Sequence, residues 1–187
     1  HMITRKTLSL DEAKKVAAAA SAKARAENWT VVIAVLDVGG HLIYLERADG
    51  TQLGSVVVAQ EKARTALLCK RPTKALEEGV LGGRVHMMSL PGVTAVEGGL
   101  PLLKDGEIVG SIGVSGVMSS QDGQVAAAGA GGVARRDRPR VVLASSHWRH
   151  CTAGHYFRSW IDALAACSEL EVIVLAINRW RCPLTPI

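Results

Sequence analysis

Gly98-Gly99-Leu100-Pro101-Leu102-Leu103-Lys104-Asp105-Gly106-Glu107-Ile108-Val109-Gly110-Ser111-Ile112-Gly113-Val114-Ser115-Gly116 decides the fold class of this 187-residue chain. Two apolar runs flank Asp105-Gly106, a dipeptide that accepts the positive φ angles of a type I′ turn. The stretch reads as strand, tight turn, strand. Its second run carries Gly110, Gly113 and Gly116. Glycine weakens a strand, so each asks for a bend, a bulge, or close approach of another backbone or a flat ligand. Tight packing against a helix or a partner subunit is the plainer explanation.

Working outward, Ser9-Leu10-Asp11-Glu12 is a capping box. Leu10, Ala13, Val16, Ala17 and Ala20 follow at helical spacing and predict a helix to about Asn28. Val31 to Leu36 is a β-branched run, Gly39-Gly40 a turn, and His41 to Glu46 the antiparallel partner strand. Gly54-Ser55 opens a second helix through about Leu68, which Arg71-Pro72-Thr73 breaks. Thr73 is placed to cap a short helix that Gly79 ends. Residues 82–90 read as an irregular segment, Pro91-Gly92 as a turn, and Val93 to Val96 as a short strand. Ser119-Ser120-Gln121-Asp122 is a second capping box, opening a helix towards Ala130. The expectation is an α+β fold with a mostly antiparallel five-stranded sheet and helices packed on it.

Composition bounds the class. Apolar residues make up 48% of the chain and aromatics only 4%, which gives a core of small side chains. The formal charge of +5 is uneven. Residues 1–130 carry 14 Lys/Arg against 13 Asp/Glu, and residues 131–187 carry 8 Arg, no Lys and 4 acids. A nearly neutral body argues against nucleic acid as partner. No stretch is apolar enough to span a membrane, and no cleavable signal is visible. His1-Met2 looks like a cloning remnant. Cys69, Cys151, Cys167 and Cys182 form no Cys-x-x-Cys pair and suggest no disulfide framework, so a reduced, cytoplasmic protein is expected.

Asp37-Val38-Gly39-Gly40-His41-Leu42, Arg47-Ala48-Asp49-Gly50 and Ala59-Gln60-Glu61-Lys62-Ala63-Arg64-Thr65-Ala66 resemble the haem-degrading-protein-like family, the GlcG/HbpS/PduO-C-terminal-domain group. Arg71-Pro72-Thr73, Leu90-Pro91-Gly92, Gly98-Gly99-Leu100-Pro101, Asp105-Gly106-Glu107-Ile108-Val109-Gly110, Gly113-Val114-Ser115-Gly116 and Gln121-Asp122 continue the match in order. Together these short motifs cover about residues 5–130. Ala48 stands where the family usually carries methionine. The resemblance implies a profilin-like α/β sandwich, assembly into homo-oligomers, and binding of haem or a related tetrapyrrole. It also implies, through members of catabolic operons, handling of small acids. Relatives end near Ala130, so the domain is placed at 1–130 and residues 131–187 are read as an atypical extension by read-through, frame-shift or fusion. Within it Arg135 to Arg140 reads as a linker, Tyr156 to Cys167 as a helix and Val172 to Ile177 as a strand.

Haem binding needs an apolar slot, an axial ligand and cations for the propionates. His86, in Arg84-Val85-His86-Met87-Met88, is the candidate ligand, with Met87 or Met88 as alternates. The plainer reading is a loop histidine among packed methionines. Arg47, Lys62, Arg64 and Arg71 are candidate partners for propionates or a substrate carboxylate, against a reading as surface charge on solvated faces. His41 reads as a solvent-facing strand start. Glu97 followed by Gly98-Gly99 is a second constellation. Amides of a Gly-Gly turn can hold an anion, and Glu97, with His86, would then move a proton. That chemistry fits an isomerase, deaminase or hydrolase of a small carboxylate. A structural or adaptor subunit is the third alternative. His147, His150, Cys151 and His155 are zinc-type ligands, but their spacing matches no familiar site and no metal is assigned.

Overall fold

Ser9 caps its helix as read: its hydroxyl accepts the Glu12 N–H at 3.3 Å, and its own N–H donates to Glu12 Oε2 at 3.1 Å. In the computed structural model, which describes residues 2–134, 140–145 and 171–176, this box opens helix α1 (Leu10–Ala26). Strands β1 (Val32–Asp37) and β2 (Leu42–Arg47) follow. Asp37 Oδ1 organises the turn between them by accepting the N–H groups of Gly39 and His41 at 2.8 and 2.9 Å. Helices α2 (Ser55–Cys69) and α3 (Thr73–Leu81) come next, then a 3-10 turn over Val85–Ser89. Strands β3 (Gly99–Lys104) and β4 (Glu107–Ser115) and helix α4 (Ser119–Ala134) complete the first of two compact units, which ends at Arg135.

The Asp105-Gly106 turn forms with both φ angles positive, 53° and 80°, and joins β3 to β4 as a hairpin. The sheet order is β2-β1-β4-β3 and every pairing is antiparallel. Its two faces carry different helices. Val114, Ile112, Ile33 and Val35 pack with Val16, Ala17 and Ala20 of α1 and Val125 and Ala126 of α4. The opposite face, with Val32 and Ala34, meets Ala59 of α2. There the sheet surface is almost bare. Gly99 pairs with Gly113 across β3 and β4, and a Cβ at Gly113 would collide with the Ala59 carbonyl oxygen. One at Gly99 would collide with the Lys62 carbonyl oxygen. The glycines therefore answer to close approach of a helix backbone.

Four sequence expectations are corrected. Among the described residues the main sheet has four strands, not five. Val93 to Val96 stays outside it because its amides are used elsewhere: Val93 N–H meets Leu90 O, Thr94 N–H meets Thr65 Oγ1 at 2.8 Å, and Val96 N–H meets Thr94 O. Thr73 begins α3 but does not cap it, since its hydroxyl is turned to Gly99. The helix also runs two residues past Gly79, which packs instead against the Met87 sulfur. At α4 the serines do not cap. Gln121 Oε1 accepts the Met118 N–H and Asp122 Oδ1 accepts the Val117 N–H, each at 3.2 Å.

The second unit spans 136–187. It contains a parallel pair, β5 (Arg140–Ser145) with β6 (Glu171–Ala176). The strand expected from Val172 is therefore present, one residue earlier. The helix expected over Tyr156 to Cys167, most of the Arg135 to Arg140 linker and the zinc-type residues from His147 to His155 lie outside the described residues. Among the described residues no helix is long and apolar enough to cross a membrane.

Candidate functional site

Lys62 does not stand on a solvated helix face. It lies on α2 beside Ala59, Ala63 and Ala66, the small residues that let this helix lie close on the sheet, and its side chain is 2% exposed. Its ammonium donates to Asp122 Oδ2 at 2.8 Å, and Asp122 is equally buried. The partner comes from the first turn of α4, on the other side of the sheet, so the pair reaches past the entry to β3. Gly98 fills the gap. Its φ is +127°, and a Cβ there would meet Val114 O at 2.6 Å and Lys62 Nζ at 2.9 Å. Burial pushes the Asp122 carboxyl above the ordinary carboxylate range in spite of the attraction of Lys62, and the charge of Glu97 adds to the rise.

Glu97 occupies the rim of this cluster. Its side chain is 16% exposed and pairs with Lys74 at 3.3 Å, and its own N–H donates to Glu77 Oε2 at 3.0 Å. The carboxylate rests against Gly123 of α4, where a Cβ would run into Glu97 Oε1. The next two residues, Gly98 and Gly99, are buried. Gly98 O accepts the Val114 N–H at 2.9 Å, and Gly99 N–H donates to Thr73 Oγ1 at 2.9 Å. The Gly99 amide is thus already satisfied inside the protein. Sequence reasoning named Glu97, Gly98, Gly99 and Lys62 here. It missed Asp122, Thr73, Lys74 and Glu77. Asp122 stands in a quoted motif, but nothing in one sequence links it to a lysine 60 positions earlier.

His86 lies elsewhere. The 3-10 turn that carries it is held to α3 by Met87, which is 7% exposed with its sulfur against Gly79. With Met87 turned inwards, His86 faces solvent beside Val85, Met88 and Leu90, which are 64%, 69% and 49% exposed. Arg84 lies two residues before it in the chain and is exposed as well. Exposed apolar side chains next to a solvent-facing imidazole suit the edge of a flat apolar ligand, and a cation alongside suits its carboxylates. Arg71 and Arg47 are exposed, Arg71 donating from Nε to Cys69 O at 3.2 Å and Arg47 ending β2. Arg64 is half-exposed and pairs with Glu61 at 3.3 Å. His41 is solvent-facing, its Nδ1 3.4 Å from Asp37 Oδ1. Among the described residues no group of three or more His, Cys, Asp or Glu is gathered for a metal ion.

A small α+β sandwich, with a bare glycine face under one helix and its polar chemistry at the rim, is the class that these features define. The chain belongs to the haem degrading protein HbpS-like family, whose model matches residues 8–131. It is 45% identical over 114 residues to Protein GlcG of Escherichia coli strain K12, spanning 61% of this chain and 85% of that protein. Solved structures share the fold. Streptomyces reticuli HbpS, solved as a double mutant, is 33% identical with a TM-score of 0.65, covering 70% of this chain and 89% of that one. A PduOC:Heme complex is 27% identical with a TM-score of 0.62, covering 68% and 95%.

Proposed function

We propose that the protein binds haem or a related tetrapyrrole as a homo-oligomer, with His86 as axial ligand on the exposed face of the Val85–Ser89 turn. One observation carries the reading: Val85, Met88 and Leu90, close to His86 in the chain, leave apolar surface in water, and the imidazole is itself exposed. A relative solved as a haem complex supports the ligand class. Bound haem would supply a metal centre with redox and ligand-exchange chemistry. The protein's part is to seat the ring edge on Val85, Met88 and Leu90, ligate through an imidazole nitrogen of His86, and meet a propionate with Arg84. Arg71, Arg47 and Arg64, the last paired with Glu61, are the remaining exposed cations of the candidate set. Lys62 is committed to Asp122 and serves the fold beneath the rim.

Turnover of a small carboxylate is the weaker reading. It needs an amide to hold the anion, and the Gly99 N–H is bonded to Thr73. Leu53, just before α2, and Val57 on it are exposed and offer apolar surface for assembly.

Titrating the full-length protein with haemin tests the reading. A saturable, stoichiometric Soret band that His86→Ala shifts or abolishes is the expected result. A featureless titration would overturn tetrapyrrole binding. An unchanged band in the variant would reject His86.

A further inference from the structure

A cavity of about 520 Å³ lies where α2 ends, between the N-terminal arm, the β1–β2 turn and the start of β4. It shares no residue with the Val85–Ser89 turn or the Lys62–Asp122 cluster, so it stands apart from the site proposed above. Its size falls within the range of small-molecule sites.

The arm that forms one wall is tied to the body from Lys6 onwards. Leu8 is 4% exposed, and its N–H donates to Val109 O at 3.1 Å. Thr7 Oγ1 accepts the Val38 N–H at 3.3 Å. Lys6 lies 3.6 and 3.7 Å from the carboxylates of Asp105 and Glu107. These ties hold Lys6, Thr7 and Leu8, and Ile3 to Arg5 just before them line the cavity together with Leu67 and Leu68 of the last turn of α2. The apolar lining is Ile3, Val38, Leu67, Leu68 and Ile108.

The charge of the lining is one-sided. Glu107 is its single carboxylate and Lys6 offsets it. Arg5 and Lys70 remain, and among the described residues neither is paired with an acid. Lys70 sits in the left-handed conformation that closes α2, its N–H bonded to the Ala66 and Leu67 carbonyls, which fixes the root of its side chain at the cavity. Two such cations beside an apolar wall match a ligand with an apolar body and an anionic end.

We infer that this cavity binds an amphipathic organic carboxylate, its ring-sized apolar body on Val38, Leu67 and Ile108 and its carboxylate at Arg5 and Lys70. The same chemistry is presented by a free aromatic acid and by the propionate edge of a tetrapyrrole.

The test is amide chemical-shift mapping of the full-length protein with 2-naphthoate as probe and neutral 2-naphthylmethanol as control. Saturable shifts confined to Val38, Gly39, Leu67, Leu68 and Ile108 are expected. The alcohol, and naphthoate on Arg5→Gln/Lys70→Gln, should bind about tenfold more weakly, which corresponds to ~1.4 kcal/mol. Both residues are exposed, so these variants fold. Absent or scattered shifts would overturn the inference, and so would equal affinity for acid and alcohol or for wild type and variant. Haemin added to the naphthoate complex separates the two sources. Displacement assigns the cavity to the tetrapyrrole edge, and retention assigns it to a free acid. Naphthoate binding alongside a featureless haemin titration would leave this inference standing while the haem reading failed.

Discussion

Lys62 and Asp122 stand 60 residues apart in the chain and 2.8 Å apart in space, each 2% exposed. They tie α2, on one face of the sheet, to the first turn of α4, on the other. Removing one member leaves a buried charge without a counter-charge. Lys62→Met or Asp122→Leu alone should cost about 3–5 kcal/mol in urea unfolding. The double variant should cost much less than the sum, because the apolar pair carries no such charge. A double variant as unstable as the added singles would show that the pair is not coupled.

The same pair predicts a pH dependence. Asp122 titrates above its ordinary value of 3.8 in the folded state, chiefly through burial. Between that value and the raised one, the folded protein holds a proton that the unfolded chain has released. Stability contributed by this group therefore falls as pH rises through the window. In Asp122→Asn that component is gone. Unfolding free energies measured from about pH 4 upwards should decline more steeply in the wild type, and parallel profiles would refute the assignment.

Glu12 gives the opposite sign. Its bond with Lys104, then that from the Ser9 N–H, holds its carboxyl below the ordinary value of 4.5. The stabilisation is present above that value and is lost as pH falls through the lowered one. Both side chains are partly exposed, at 31% and 46%, so solvent screening limits the effect to about 1 kcal/mol or less. Glu12→Gln keeps a capping-box side chain. Its deficit in thermal unfolding should be visible at about pH 7 and shrink as pH falls below the ordinary value. A deficit that persists in acid would mean that the cap, not the charge, carries it.

Two glycines separate backbone crowding from side-chain crowding. A Cβ at Gly113 meets the Ala59 backbone, whereas one at Gly123 meets the movable end of Glu97. Gly113→Ala should cost about 1–3 kcal/mol or more, since α2 itself must shift. Gly123→Ala should cost at least ~1 kcal/mol less, because alanine favours the helix and Glu97 can swing away. Equal losses in chemical denaturation would count against this distinction.

Local signals in the sequence carried most of the fold. Asp105-Gly106 named its turn, Ser9 to Glu12 named a helix start, and Gly113 of β4 asked for a neighbour that α2 supplies. Val93 to Val96 misled because a β-branched run says nothing of where its amides go, and here Thr65 takes one of them. The site was half legible. Glu97, Gly98 and Gly99 were singled out, yet the reason Gly99 is closed to an anion is a threonine 26 residues earlier. Lys62 was read as a candidate partner for a ligand carboxylate, against a solvated helix face, because an alanine stripe around a lysine looks the same in sequence whether it faces water or a buried aspartate. His86 was legible as a residue type, but its exposure depends on Met87 turning inwards, which one sequence does not reveal.

The paired glycines under α2 set a limit on how this architecture can acquire new chemistry. Many folds make room for a guest by trimming large side chains between layers. Here helix and sheet already touch through their main chains, so there is little left to trim. Any guest molecule must be met at the margins: the loops, the arm and the helix ends. Those are the segments that sequence drift remodels most cheaply, so a change of guest need not disturb the rigid slab.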